Sequence, residues 1–304
     1  MNHYINISVV IPTIGRGSVL QSLESVFNQS YKVKDVIVCY DGDDYLAFSG
    51  MISEFILKKN SSVVVSVINV GPFSGGNVAR QKGIEISTSD YIALLDDDDV
   101  WLNNHISDYV EIIKNSKFPV LFSCFASVVE EKTGALMFEL PSRGIMHNES
   151  IPDYLFKVRK INLDCGFIQS SLMMFSRELA LKVPFDVDLK YHQDIDWLLR
   201  LSQSNIDFKF IQTKNNTVTY NSTPLSVSKR INSIQSMQWA RKVFHDKRCL
   251  GDFILTQSYN YARDNENFKA ELKVLITSLI YSSPGIYALI RFFIKLLRID
   301  KIIK

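Results

Sequence analysis

"YIALLDDDDVW", residues 91–101, runs a mostly apolar stretch into four consecutive aspartates and then returns at once to Val and Trp. A solvated turn would account for Asp96, Asp97, Asp98 and Asp99 by themselves, because acids on a surface cost little. It does not account for their flanks. Tyr91 to Leu95 reads as a short buried strand and Val100-Trp101-Leu102 is apolar again, so the acids stand where a core element reaches the surface. In an α/β protein, ligands bind at such strand ends.

Working outward, "ISVVIPTIGRG" is a β-branched run closed by Pro and Gly, and Val19, Leu20, Leu23, Val26 and Phe27 follow at helical spacing. "DVIVCYDGDDY" gives a second strand ending in acids and Gly, with a helix from Phe48 to Lys59 behind it. "SVVVSVINV" leads through "GPFSGGN" into the helical "VARQKGIEIS", and "DYIALLDDDD" is the fourth strand. This alternation predicts an α/β fold: a mixed, mainly parallel central sheet flanked by helices. Beyond Pro119, "VLFSCFASVVEEKTG" reads as a strand and turn, and "CGFIQSSLMMFSRELALKV" as a strand running into a helix. "HQDIDWLLRLSQ" reads as a helix that opens with acids. "NNTVTYNSTPLSVS" is polar enough to be a loop or lid, and from Ile231 onward the pattern is helical.

Composition bounds the answer. With 304 residues, 46% hydrophobic and 22% charged, the chain is long enough for one large α/β domain, and disorder is excluded. Cys39, Cys124, Cys165 and Cys249 are far apart with no CxxC pair, so they are expected to be reduced, mostly buried thiols. No basic stretch followed by an apolar run opens the sequence, and a cytoplasmic location is expected. The net charge of +2 hides a division. From Lys229 onward there are 14 Lys and Arg against 6 Asp and Glu, which leaves 20 against 26 before it. No nucleic-acid partner is expected.

In an extended chain alternate side chains share a face, so Asp96 and Asp98 are placed to point into one cleft. Two carboxylates at that spacing suit a hard divalent ion, which prefers oxygen ligands and commonly completes its shell with substrate phosphates. Pro12 and Thr13 give the first strand a tight exit with a hydroxyl and backbone amides. Asp41 beside Gly42 can accept hydrogen bonds from a base or ribose, and Gly42, Gly75 and Gly76 let backbone approach a ligand closely. The GxGxxG dinucleotide fingerprint and the GxxxxGK[ST] phosphate loop are both missing.

Together, "SVVIPTIGRGSVLQSLESVFNQSY", "VIVCYDGDD", "GGNVARQKGIEISTSDYIALLDDDDVW" and "HQDIDWLLRL" resemble, in order and spacing, the family 2 glycosyltransferases with the GT-A fold, over roughly residues 5 to 230. The resemblance implies a catalytic domain at 1–228, with a nucleotide-sugar-binding half (1–118) and an acceptor half (119–228). Residues 229–304 then form a helical C-terminal region. It also implies that Thr13, Asp41, Arg80 and Asp96 line the nucleotide of a nucleotide-diphosphate sugar donor, with Pro12 and Asp97 in the same donor-binding set. Asp98, with Asp96, would hold Mn or Mg against the diphosphate.

In this family an acidic pair, usually Glu-Asp, opens a helix and its Asp takes the acceptor proton. Here the pair is Gln193-Asp194, and Asp194 is the candidate catalytic base, with Asp196 the second choice, expected as a cap or as an ion-pair partner of Arg200. One base and no obvious protein nucleophile fit in-line displacement with inversion. Two more departures are Tyr40-Asp41 in place of two acids, which lets Tyr40 stack on or flank the base, and Arg80-Gln81 in place of Arg-Asn. Gln169, Ser170 and Ser171 would border the acceptor cleft, and His147 and His192 read as structural.

The last stretch, "IYALIRFFIKLLRIDKIIK", places Arg291, Lys295 and Arg298 at helical spacing, with Ile290, Phe293, Ile294 and Leu297 opposite. Three cations inside the apolar span argue against a spanning helix and fit one lying in the interface of an anionic membrane. The other reading packs the apolar side on the protein. Resemblance and tail together imply a polyprenyl-diphosphate-linked glycan acceptor in O-antigen- or capsule-type synthesis, at the inner face of the plasma membrane. Two alternatives stay open: a metal-dependent nucleotidyltransferase, which has no need of Asp194, and a non-catalytic nucleotide-sugar-binding module.

Overall fold

The computed structural model describes residues 4–59, 62–114, 119–162, 166–222 and 231–299. It divides into two compact units. The first comprises Met1–Leu140, Ile168–Trp197 and Ser204–Thr223; the second comprises Pro141–Phe167, Leu198–Gln203 and Pro224–Lys304. The division expected at 228/229 falls outside the described residues, and residues 141–167, expected in the catalytic domain, group with the C-terminal helices.

The first unit is built on a mixed sheet of nine strands in the order β3-β2-β1-β4-β8-β6-β9-β5, with β7 on β6. Its first half is parallel: β1 (Ile7–Thr13) lies between β2 (Asp35–Tyr40) and β4 (Tyr91–Leu94), and β3 (Val64–Asn69) forms the edge. Every residue of β1 is buried, as expected of a central parallel strand covered on both faces, whereas β3 alternates with exposed positions. Pro12 breaks no rung, because β4 pairs with β1 only as far as Val10. The helices behind these strands are α1 (Val19–Phe27), α2 (Tyr45–Lys59) and α3 (Gly76–Ile86). The second starts three residues before the Phe48 expected from the pattern.

The other half of the sheet mixes directions. A two-residue β5 (Val100–Trp101) precedes α4 (His105–Ile113), β6 (Val120–Glu130) and β7 (Leu136–Leu140). β8 (Met174–Ser176) is only three residues long and antiparallel to both β4 and β6, and a 3₁₀ turn at Ser170–Leu172 precedes it. Then come α6 (Arg177–Lys182), α7 (Gln193–Ser202) and β9 (Lys209–Ser222). β9 corrects the sequence reading, since "NNTVTYNS" was expected to be loop. It is strand because its partners are distant: parallel pairing to β6 and antiparallel pairing to β5 hold it, and buried Thr217 bonds His105 Nδ1 at 2.8 Å. Residues 223–228 of that stretch lie outside the described residues.

The second unit contains α5 (Ile151–Phe156), α8 (Ser233–Val243), α9 (Lys247–Phe253), α10 (Tyr259–Asn265), α11 (Phe268–Tyr281) and α12 (Ile286–Leu296). Its core is aromatic: Phe253 meets Phe156, Trp239 and Phe244 with centroids 5.2–5.6 Å apart. Buried Asp252 accepts from Val158 N, Gly285 N and Arg248 Nε. Cys39, Cys124 and Cys249 are buried free thiols, as expected; Cys165 lies outside the described residues.

Two of the three cations of the expected C-terminal stripe are bonded within the unit. Lys295 Nζ bonds Asn260 Oδ1 at 2.8 Å and Arg298 Nη2 bonds Glu271 Oε1 at 2.7 Å, so both cations turn toward the unit. Phe292 and Ala288 are the residues packed inward, while Phe293 and Leu297 are exposed.

α3 is pressed onto the sheet at Gly83, where an added Cβ would come within 2.5 Å of Val10 Cγ1 and 2.8 Å of Cys39 Sγ. Gly83→Ala should therefore cost about 1–3 kcal/mol by overpacking. Urea unfolding measures this, and an unchanged midpoint would mean that α3 is not seated so closely.

Candidate active site

The chain turns at the end of β4, and Asp99 N bonds Asp96 O at 3.2 Å. The aspartates are therefore not in the extended stretch that the alternation argument assumed. The alternation survives in burial all the same: Asp97 and Asp99 are buried, Asp96 and Asp98 partly open. Each carboxyl has its own partners. Asp99 accepts from Ser171 Oγ at 2.6 Å and Asn221 N at 3.0 Å, which makes it the structural anchor of the turn. Asp97 accepts from Thr13 Oγ1 at 2.6 Å and Arg16 Nη1 at 3.2 Å, and the same Arg16 nitrogen reaches Asp98 Oδ2 at 2.7 Å.

Asp96 carries the link to the helices. Arg80 Nη2 donates to its Oδ1 at 2.7 Å and Gln169 Nε2 to its Oδ2 at 2.6 Å. Both oxygens accept hydrogen bonds, because α3 delivers a guanidinium to the strand end and that charge pairs with the carboxylate there. Arg80 Nη1 also donates to Gln193 Oε1 at 2.7 Å, so one buried cation joins the fourth strand end to the start of α7.

Asp194 lies one residue on, half-buried. Ser170 holds both its oxygens, through Oγ at 2.6 Å and backbone N at 3.2 Å. Burial pushes its pKa up, Arg80 pulls it down and Asp96 pushes it up again, with a net rise. Trp197 anchors the helix beneath it, stacked on Phe185 with centroids 4.9 Å apart and donating Nε1 to Val183 O at 2.8 Å. Asp196 is buried, which leaves Asp194 as the open acid of the pair. Burial also pushes His192 down to about 4, while His147 is exposed.

The second strand end is arranged differently from the sequence expectation. Asp41 Oδ1 and Oδ2 accept from Ser74 N and Gly75 N, each at 2.7 Å, so its carboxylate shapes the loop into α3. Gly75 sits at φ +111, a conformation that favours glycine. Tyr40 does not present its ring as a stacking platform: it is buried against Phe48 at 4.4 Å, with its hydroxyl accepting from Asp44 N. Pro12 is buried within β1, behind Thr13.

Thr13, Arg80, Asp96, Asp97, Asp98 and Asp194 thus form one network, and Asp41 supports it from the neighbouring loop. Sequence reasoning missed Arg16, whose only signal was its place between two glycines just past a strand. It also missed Asn221 and Tyr220. The Tyr220 hydroxyl is pushed up by burial and by the charges of Asp99, Asp96, Asp98 and Asp194. These two belong to the stretch that had been read as loop.

The residues fit a divalent cation that takes one or two carboxylates from the protein. Asp98 is pushed up to about 6, first by burial and then by Asp96 and Asp97, with Arg16 working against them; a cation beside it would relieve that repulsion. Among the described residues no group of three or more His, Cys, Asp or Glu is arranged to hold a metal ion by itself.

A parallel sheet carrying acids and an arginine at its strand C-termini, extended by antiparallel strands, is the GT-A arrangement. The chain belongs to glycosyl transferase family 2, whose model matches residues 8–183. It is 29% identical over 211 residues to the amylovoran biosynthesis glycosyltransferase AmsB of Erwinia amylovora, covering 68% of this chain and 66% of that protein. It is 24% identical over 157 residues to the GalNAc(5)-diNAcBac-PP-undecaprenol beta-1,3-glucosyltransferase of Campylobacter jejuni, covering 51% and 48%. The chain thus spans 66% and 48% of the length of these two relatives. S. aureus TarS 1–349 in complex with UDP-GlcNAc shares the fold, with a TM-score of 0.55 at 14% identity over 91% of this chain and 74% of that one.

The pKa of Asp98 makes the cluster testable without any ligand. Between its ordinary value of 3.8 and about 6 the folded protein holds more protons than the unfolded chain, so stability falls as pH rises through that window. Asp98→Asn should flatten the fall. Asp97, Asp99 and Asp194 are shifted in the same direction and keep part of it. Thermal midpoints measured across the window give the slope, and an unchanged slope would take Asp98 out of the strained cluster.

Proposed function

We propose that this protein transfers a sugar from a nucleotide-diphosphate sugar to a hydroxyl of a glycan acceptor, with inversion at the anomeric carbon and with Mn or Mg. The observation that carries this reading is Asp194: a carboxylate oriented by Ser170 and electrostatically coupled to the Arg80–Asp96 pair at the acid-rich strand end. A general base needs that combination of fixed direction and raised pKa. A nucleotidyltransferase would have no use for it.

In the proposed reaction Asp194 accepts the proton of the attacking hydroxyl while the glycosidic bond to the diphosphate breaks on the opposite side. Arg80 and Arg16 supply positive charge to the donor end, and Asp98 is the residue to hold the cation, with Asp96 and Asp97 adding negative charge around it. When bound, the ion supplies charge neutralisation for the departing diphosphate. Asp194 must be ionised to act, so transfer should rise with pH through its raised pKa. The polyprenyl-diphosphate-linked acceptor, and a role in O-antigen- or capsule-type polysaccharide synthesis, draw support from the Erwinia enzyme of amylovoran biosynthesis and the Campylobacter PP-undecaprenol glucosyltransferase. No helix among the described residues is long and apolar enough to cross a membrane. We place the protein at the inner face of the plasma membrane, in peripheral contact through its C-terminal helix.

Asp194→Asn should keep donor binding and lose transfer by about 10²- to 10⁴-fold, since the amide fills the same space and takes no proton. A variant that transfers normally would end Asp194's candidacy. Asp98→Ala should retain the fold and lose cation-dependent donor binding. Calorimetry with a set of nucleotide sugars, with and without Mn, measures this, and unchanged cation dependence would move the metal elsewhere.

A further inference from the structure

α11 and α12 each carry two apolar faces. Inward, α11 buries Val274 and α12 buries Ala288 and Phe292, the last seated edge-on against Tyr259 with ring centroids 4.6 Å apart. Outward, Leu272, Ile276 and Ile280 recur along α11, and Ile286 and Phe293 along α12, with Leu297 at its C-cap. These six are open: Ile276 is 54% exposed, Ile280 65%, Phe293 44% and Leu297 64%. A helix that has already met the core on one side and is still apolar on the other is built to touch a second medium.

Charge identifies that medium. Lys269 and Lys273 are exposed on α11, and Arg291 is partly exposed on α12. The sole acid in the sequence from Phe268 to Ile299 is Glu271. It is buried and accepts from Arg298 Nη2 and from the Tyr259 hydroxyl, each at 2.7 Å. The apolar faces are therefore accompanied by cations with no exposed acid on either helix. A second copy of this surface would set cation against cation, and an acidic protein partner would leave the apolar faces unanswered. A bilayer rich in anionic headgroups answers both. We infer that α11 and α12 together form the surface by which this protein lies on anionic phospholipid, with α11 contributing as much as the last helix. This rests on the reading of peripheral membrane contact and changes its geometry. The contact runs through the outward apolar faces and the Lys269/Lys273 flank, and not through Lys295 and Arg298, which are bonded inward.

The test uses the full chain without donor, in co-sedimentation with vesicles of phosphatidylcholine alone and of phosphatidylcholine mixed with phosphatidylglycerol. The wild type should bind the mixed vesicles far better. Ile276→Glu with Ile280→Glu on α11, and Phe293→Glu with Leu297→Glu on α12, should each weaken binding about tenfold or more while keeping the thermal midpoint. Lys269→Glu with Lys273→Glu changes only exposed cations and should weaken binding to the mixed vesicles by a similar factor at low salt. If the apolar variants fail to fold, this lysine pair decides, and its binding normally would overturn the inference. Should the α11 variants bind normally while the α12 variants do not, the inference fails and contact through the last helix stands. No binding by the wild type sinks both. A wild-type dimer that the α11 or α12 variants turn into monomer, with no vesicle binding, would assign the faces to a second copy.

Discussion

Like charge held at close range is the constraint on which this active-site region depends. Four carboxyl groups fall within one turn at the end of a buried strand, and Asp194 adds a fifth that feels Asp96. Left unpaired they would not stay buried and ionised. The structure answers with two guanidiniums, Arg16 and Arg80, and with neutral donors from separate elements: Thr13 from β1, Ser171 and Gln169 from the segment before β8, Asn221 from β9. The compensation is incomplete, as the raised pKa values of Asp97, Asp98 and Asp99 show. A cation placed there would relieve the residual repulsion.

Backbone packing makes that compensation possible. Arg80 reaches Asp96 because α3 sits close on β1 and β2, which Gly83 permits by having no Cβ. The loop that starts α3 is shaped in turn by Asp41, whose two oxygens hold successive amides. Ser171 does comparable work on the other side: its hydroxyl accepts from Asp96 N and donates to Asp99, and its carbonyl accepts from Trp101 Nε1 at 2.8 Å. The segment that fixes the acid turn therefore also orients Asp194 through the adjacent Ser170. One short stretch, residues 169–171, thus holds both the acid turn and Asp194.

What the sequence discloses follows from which interactions are local. β1, β2 and β4 are legible because each is a mostly apolar, buried run, and α1 because its apolar residues recur at helical spacing, so no distant partner is needed to see them. β9 was not legible: Thr217 and Tyr220 look like loop until β6 and β5 stand beside them. Charge density alone drew attention to Asp96–Asp99, whereas Arg80 and Asp194 were singled out only through the family resemblance. Function within the site was less legible. A carboxylate such as Asp41 looks the same whether it faces a ribose or two backbone amides, and an aromatic such as Tyr40 looks the same whether it faces a base or Phe48. Those distinctions depend on the direction of side chains, which tertiary packing decides.

Gln193 shows how a departure from the family's usual Glu-Asp pair can be consistent with its surroundings. Its Oε1 accepts from Arg80 and its Nε2 donates to Leu189 O at 3.0 Å. A carboxylate at this position could take the first bond but would set bare oxygen against the Leu189 carbonyl in place of the second. It would also add another negative charge beside Asp96 and Asp194, drawing on the same guanidinium. With a neutral amide there, the charge of Arg80 is divided between Asp96 and Asp194. Burial, more than a neighbouring carboxylate at 193, then sets how far the pKa of Asp194 rises. The substitution removes an acid that the cluster would otherwise have to offset, and it leaves the Asp194 carboxylate where Ser170 holds it.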